Sequence, residues 1–163
     1  GKSVIGRKLA RALGREFLDS DQQIERDTGR TIPDIFDREG ETAFRDLEKR
    51  TIAGLLQTPR CVIALGGGAV IDPDTRARLA GEAVGIWLQS PVEEIVARVA
   101  RKRDKRPLLR HGDLRDTVES LLAARGPFYA QAAIHIDSAG QSESAVVAAI
   151  IKALCAYAKD DSL

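Results

Sequence analysis

Few features of the 163-residue sequence would place it outside a cell or within a membrane. It has only two cysteines, Cys61 and Cys155, far apart and in no metal-ligand spacing. A disulfide framework and a zinc ribbon are therefore both unsupported, and both thiols are expected to be reduced and structural. No run approaches the ~20 apolar residues needed to cross a bilayer, and no signal-peptide pattern is seen. The expected location is cytoplasmic. Net charge is +1, so no overall field draws the chain to nucleic acid or to a membrane surface. One basic run exists, Arg98 to Arg110, with Arg101, Lys102, Arg103, Lys105 and Arg106 set against Asp104 alone. No aromatic residue interleaves it, which argues against a nucleic-acid surface. His111 and His135 have no partner pattern and read as structural. Repeats, low-complexity segments and linkers are absent, so residues 1–163 read as one domain with enough chain for a full core.

What the sequence does contain is an alternation of helices and short apolar runs. Val4–Leu13 has helical spacing of Ile5, Leu9 and Leu13, with Gly14 placed to stop it. Glu16–Leu18 is a short strand candidate, and Gln22–Thr28 a helix ending at Gly29. Thr31, Pro33 and Asp34 form a helix start, and Glu41–Leu56 is a longer helix with Phe44, Leu47, Ile52 and Leu55 on one side. Cys61–Leu65 and Ala83–Leu88 lack polar alternation, which predicts strands buried on both faces of a parallel sheet, with Trp87 in the core. Helices are expected at Pro73–Leu79, after a Ser90-Pro91 cap, at Asp113–Ala124 with Arg125–Tyr129 at its end, and at Ser144–Ala158. Ile134–Ile136 is the last strand. Such alternation predicts βαβ units, and ligands of such sheets sit beyond the C-terminal strand ends.

Several stretches converge there. Gly1-Lys2-Ser3 matches the end of a phosphate-binding loop, G-x-x-x-x-G-K-[ST], with its first half and a strand expected upstream. A helix start presents free N–H groups and positive dipole to phosphate, Lys2 adds charge, and Ser3 offers a hard oxygen to Mg²⁺. Asp19 and Asp21 follow the first strand: they either form a turn with a helix cap, or support a metal and take a proton from an attacking hydroxyl. Two readings likewise stand for Arg45: pairing with Glu41 or Glu48 on its own helix, or gripping a substrate carboxylate. Gly66-Gly67-Gly68 costs backbone entropy that a plain turn would avoid, and suits close approach of a ligand to the main chain. Arg106-Pro107-Leu108-Leu109 has the form of a lid, and Arg125 suits either a helix C-terminus or a ligand.

Taken together, these ordered motifs resemble the shikimate kinases over nearly the whole chain: Gly1-Lys2-Ser3, Asp19-Ser20-Asp21, the segment from Ile24 through Gly40-Glu41 and Phe44-Arg45 to Glu48, Gly66–Val70, Arg106–Leu109, and Arg125 with Tyr129. The resemblance implies an α/β three-layer P-loop kinase fold. Its parallel sheet has five strands in the order 2-3-1-4-5, flanked by helices, and the first strand is absent from this sequence. Residues about 20–50 would bind substrate and about 101–113 would form the lid. The implied reaction is transfer of the γ-phosphate of ATP to the 3-hydroxyl of shikimate, with Mg²⁺, by a monomer whose partners are these small molecules. Also implied are Arg45 and Arg125 at the shikimate carboxylate, and Gly66, Gly67 and Gly68 beside the ring. Asp21 would bind hydroxyls and act as base, while Asp19 and Ser3 would serve the metal. Gly1, Lys2 and Arg106 would contact phosphates, with Arg98 and the loop containing Gln141 near adenine. Val4 departs from the Thr usual after the loop, and Gly126 from a common polar residue. A regulator's metabolite-sensing domain or a gluconate kinase would share part of this pattern; the D-x-D and glycine-triplet spacing favours shikimate.

Overall fold

The structure is a computed structural model that describes residues 1–100, Leu108 and 113–160. Its first helix, α1 (Lys2–Leu13), ends at Gly14 in the left-handed conformation, as the spacing predicts. Strand β1 (Glu16–Asp19) leads directly into α2 (Ser20–Thr28). This helix starts two residues earlier than expected because Asp19 itself is the cap, accepting from the N–H groups of Asp21 and Gln22. Helix α3 (Ile32–Leu55) is capped by Thr31 and broken at Gly40, whose φ of 83° and ψ of 176° are non-helical. The break separates the two helical segments that the sequence suggests.

Next come β2 (Cys61–Ala64), a 3₁₀ turn (Ala69–Ile71), α4 (Pro73–Glu82), β3 (Ile86–Gln89) and α5 (Val92–Ala100). Then follow α6 (Leu114–Tyr129), β4 (Ile134–Asp137) and α7 (Glu143–Asp160). Asp72 and Asp113 cap α4 and α6. Ser90 does not cap α5 as expected; its hydroxyl bonds that of Ser138 at 2.6 Å. Helix α6 continues past Ala124 through Pro127 and ends at Tyr129, where the sequence places the helix end. Proline there removes only one backbone bond close to the helix end.

The strands form two parallel pairs, β1–β2 and β3–β4, which share no hydrogen bonds with each other. Most of β2 and all of β3 are half-buried, correcting the expectation of strands covered on both faces. One core joins the pairs: Ile5 and Leu9 of α1 pack with Ile134 and Ile136 of β4 and with Val146, Val147 and Ile150 of α7. Val62 of β2 and Ile86 and Leu88 of β3 lie against the same cluster. Ile24, Ile35 and Phe44 bind α2 to both halves of α3, and Val99 and Val118 bind α5 to α6. Trp87 is not core: it is half-buried, edge-on to His135 at 5.2 Å and tilted against Tyr129 at 5.8 Å between ring centroids. No helix among the described residues is long and apolar enough to cross a membrane.

Candidate active site

Both β1 and β2 run in the same direction, so Asp19 and Ala64 pair at their C-terminal ends. Chain direction alone therefore brings the Asp19–Asp21 segment beside Gly66–Gly68. The start of α1 is the third part: the Ser3 hydroxyl donates to Asp19 Oδ2 at 2.6 Å. Asp19 is buried and is the helix cap that one sequence reading expects: Oδ1 caps α2, while Oδ2 accepts from Ser3. The resulting hydroxyl–carboxylate pair at a helix start offers hard oxygens to a cation such as Mg²⁺. No cluster of three or more His, Cys, Asp or Glu residues suited to a metal occurs among the described residues. One hydroxyl and one carboxylate suit a hard cation that keeps most of its ligands from water and phosphate, as Mg²⁺ does.

The glycine triplet is the centre of the site, and each glycine faces a different partner. A Cβ on Gly66 would overlap Glu48 Oε1 and lie 3.0 Å from Asp21 Oδ1. One on Gly67 would be 3.4 Å from both Arg125 Nη1 and the Tyr129 hydroxyl. On Gly68 it would overlap the Arg45 guanidinium. Two arginines and two carboxylates thus close on a main chain that has no side chains of its own, which is the close approach that three glycines permit. The Gly66 N–H donates to the buried Ser20 hydroxyl at 3.1 Å, locking the triplet onto the start of α2. A cavity of about 90 Å³ lies against Arg45, Glu48 and Gly68.

Arg45 is held from both sides on its own helix. Nη1 donates to Glu48 at 2.6 Å, while Nε and Nη2 donate to Glu41 at 3.2 and 3.0 Å. Burial lowers its pKa, but the flanking Glu48 and Glu41 outweigh this and hold it above its ordinary value. Glu48 is 2% exposed, and its Oε1 has no hydrogen-bond partner among the described residues. Burial pushes the Glu48 carboxyl up against the pull of Arg45, with Asp21 adding to the rise and Arg125 opposing it. Four charged groups therefore act on one another around the triplet.

On the other flank, Arg98 donates to Glu94 at 2.5 Å and to the Ser90 hydroxyl at 3.3 Å. Its Nη1 is 3.4 Å from the Cβ position of Gly1, beside the start of α1 that carries Lys2. Glu94 also accepts from the Gly140 N–H at 3.0 Å, and Gln141 bonds the Asp137 carbonyl at 2.8 Å. The loop after β4 is thereby tied to α5. Arg106 lies outside the described residues, as do His111 and most of the expected lid. Roles for Ser20 and Glu94 are not apparent in the sequence. Glu48 and Tyr129 leave signals, the i+3 spacing from Arg45 and the place four residues after Arg125, but their contacts with the glycine triplet do not show there.

Comparison with known proteins supplies the remaining evidence. A family model described as shikimate kinase matches residues 1–155. A shikimate kinase of Paramagnetospirillum magneticum is 42% identical over 96% of this chain and 80% of its own length. One from Caulobacter vibrioides is 45% identical over 94% of this chain and 76% of its own. Among solved structures, shikimate kinase from Acinetobacter baumannii in complex with shikimate superposes with a TM-score of 0.93 at 37% identity, covering 96% of this chain and 88% of that one. A shikimate kinase from Aquifex aeolicus gives a TM-score of 0.84 at 28% identity, covering 97% and 92%. With the α/β fold, the ordered motifs and the family model all in agreement, the chain belongs to the shikimate kinase family.

Proposed function

We propose that this chain transfers the γ-phosphate of ATP to the 3-hydroxyl of shikimate, yielding shikimate 3-phosphate and ADP on the route to chorismate and aromatic amino acids. The observation that carries the reading is the glycine triplet enclosed by Arg45, Arg125, Asp21 and Glu48 beside a helix that begins Gly1-Lys2-Ser3. Two arginines suit a carboxylate, and a carboxylate pair suits a polyol. Arg45 and Arg125 bind the shikimate carboxylate, while Gly66, Gly67 and Gly68 border the ring. Asp21 accepts the proton of the 3-hydroxyl as its oxygen attacks phosphorus and the bond to ADP breaks. Lys2 and Arg106 neutralise charge on the transferred group, and Gly1 and Ser3 stand at the nucleotide phosphates. Arg98 and the loop with Gln141 border adenine. Ser3 and Asp19 would hold Mg²⁺, Asp19 through water, and the ion would supply positive charge at the nucleotide phosphates.

The finer architecture is a single kinase domain with a five-stranded parallel sheet in the order 2-3-1-4-5. Two parallel pairs, β1–β2 and β3–β4, are what the outer neighbours of that order would give. Substrate binds through residues about 20–50, and a lid at about 101–113 closes over the nucleotide. The protein is a cytoplasmic monomer that binds neither nucleic acid nor membrane; both cysteines are free thiols, in keeping with a reducing compartment. The test is ADP release by the full chain with ATP and Mg²⁺, with shikimate, with gluconate and with neither. Shikimate-dependent turnover that falls by at least ~10²-fold in Asp21→Asn is the expected result. Equal turnover of Asp21→Asn and the parent would remove Asp21 as the base, and no response to shikimate would remove the substrate.

A further inference from the structure

Every carbonyl of the glycine triplet is occupied, and the three partners differ in kind. Gly66 O accepts from the Ala69 N–H at 3.2 Å and Gly68 O from the Ile71 N–H at 3.0 Å, both bonds of the local turn. Gly67 O accepts instead from the Tyr129 hydroxyl at 2.5 Å, on a helix 62 residues away. Of the N–H groups, Gly66 is bonded to Ser20, whereas those of Gly67 and Gly68 have no partner among the described residues. Two successive donors therefore remain between Arg125, over Gly67, and Arg45, over Gly68.

We propose that Tyr129 is a positioning residue for shikimate: by holding the Gly67 carbonyl it sets the direction of the Gly68 N–H toward the ligand. This rests on the reading of the triplet as the shikimate site. A trans peptide is planar, so its C=O and N–H point to opposite sides. No cis bond occurs among the described residues. With Gly67 O turned to Tyr129, the Gly68 N–H of the same peptide turns away from α6, into the space bordered by Arg45. A peptide between two glycines meets little steric resistance to rotation about its neighbouring bonds. Rotated by half a turn, it would present an oxygen in place of that donor, which repels a carboxylate or a hydroxyl lone pair. The Tyr129 bond opposes this rotation.

The tyrosine is itself held for the task. Its ring packs on Trp87, which packs on His135, so the hydroxyl has little freedom. Tyr129 stands one turn beyond Arg125 on α6, and both reach the same Gly67 position. Arg76 reinforces the junction, bonding Val70 O and Ile71 O at 2.8 Å and lying over the Phe128 ring at 4.3 Å. The end of α6 and the glycine turn are thus joined by several contacts, with Arg125 beside Gly67.

Tyr129→Phe isolates the hydroxyl, since the ring and its packing on Trp87 remain. In the full chain it should raise the KM for shikimate about 3- to 10-fold, the cost of one lost bond to a backbone carbonyl, and leave the KM for ATP unchanged. Tyr129→Leu, which also removes the ring, should raise it further. Hydrogen exchange supplies a readout that needs no turnover: in Tyr129→Phe, residues 66–71 should exchange faster while α1 and α7 stay as in the parent. An unchanged shikimate KM together with unchanged exchange overturns the inference, as does an equal rise in both KM values. A parent protein that ignores shikimate refutes the site reading instead, and the exchange comparison then decides the Tyr129 bond alone.

Discussion

Glu48 is a buried carboxylate with one oxygen on Arg45 and the other against Gly66, close to Asp21. Because burial raises its pKa above the ordinary 4.5, the folded state binds this proton more tightly than the unfolded one. Its contribution to stability is therefore full below about pH 4.5 and is lost as the pH rises through the raised value. Glu48→Gln lacks that loss, so its Tm relative to the parent should increase as the pH rises above about 4.5, as scanned by calorimetry. A flat difference would mean that the Arg45 pair cancels the burial cost. The sequence offers Arg45 and Asp19 two roles each, and the structure shows the local one in both, the helix ion pair and the helix cap. Arg45 pairs with both Glu41 and Glu48 and still lies on Gly68. Asp19 has two oxygens and uses one as a cap and the other on Ser3. Local spacing reveals the helix partners, whereas contacts across 16 or 46 residues, such as Ser3–Asp19 and Gly66–Ser20, depend on where the strands end.

Among the elements, α3 has the most specific local requirement. Gly40 sits at φ 83° and ψ 176°, a region essentially closed to residues with a Cβ. Here the chain redirects so that the segment carrying Glu41, Phe44, Arg45 and Glu48 can pack on α2 through Phe44 while turning Arg45 to the glycine triplet. Nothing lies within 4 Å of a Cβ built at Gly40, so Gly40→Ala tests backbone strain without a packing clash. It should cost about 1–3 kcal/mol in denaturant unfolding. A smaller cost would mean that α3 straightens through the break, in which case the KM for shikimate should rise as Arg45 moves. Helix starts were legible because capping is local: Thr31, Asp72 and Asp113 each accept from their own first turn. Ser90 misled for a nonlocal reason, since Ser138 from the end of β4 takes its hydroxyl. The far end of α6 was legible as Arg125–Tyr129, but its partners Gly67 and Arg76, which hold Tyr129 and Phe128, are remote in sequence.

At the scale of the molecule, the two strand pairs are joined by side chains. Ile150 of α7 is 1% exposed within the cluster that contains Ile5 and Leu9 of α1 and Ile134 and Ile136 of β4. Ile150→Ala should lower unfolding free energy by about 2–5 kcal/mol through lost burial and a cavity. At a temperature where the variant stays folded, the KM for shikimate should not change, because the glycine triplet is anchored by α2, α3 and α6. A changed KM would mean that the α1–α7 core also sets the site. The order of helices and strands, most helix starts, the α/β class and the residues that meet the family's motifs can be read along the chain. Those depend on periodicity, capping and turn chemistry, which act within a few residues. Which charges flank which glycine, the burial of Glu48 with its raised pKa, and the hold of a tyrosine near the end of α6 on a carbonyl in the triplet emerge from packing alone. Each of these depends on parallel strands ending side by side and on helices packing across them, so residues far apart in the chain meet at distances that no local pattern encodes.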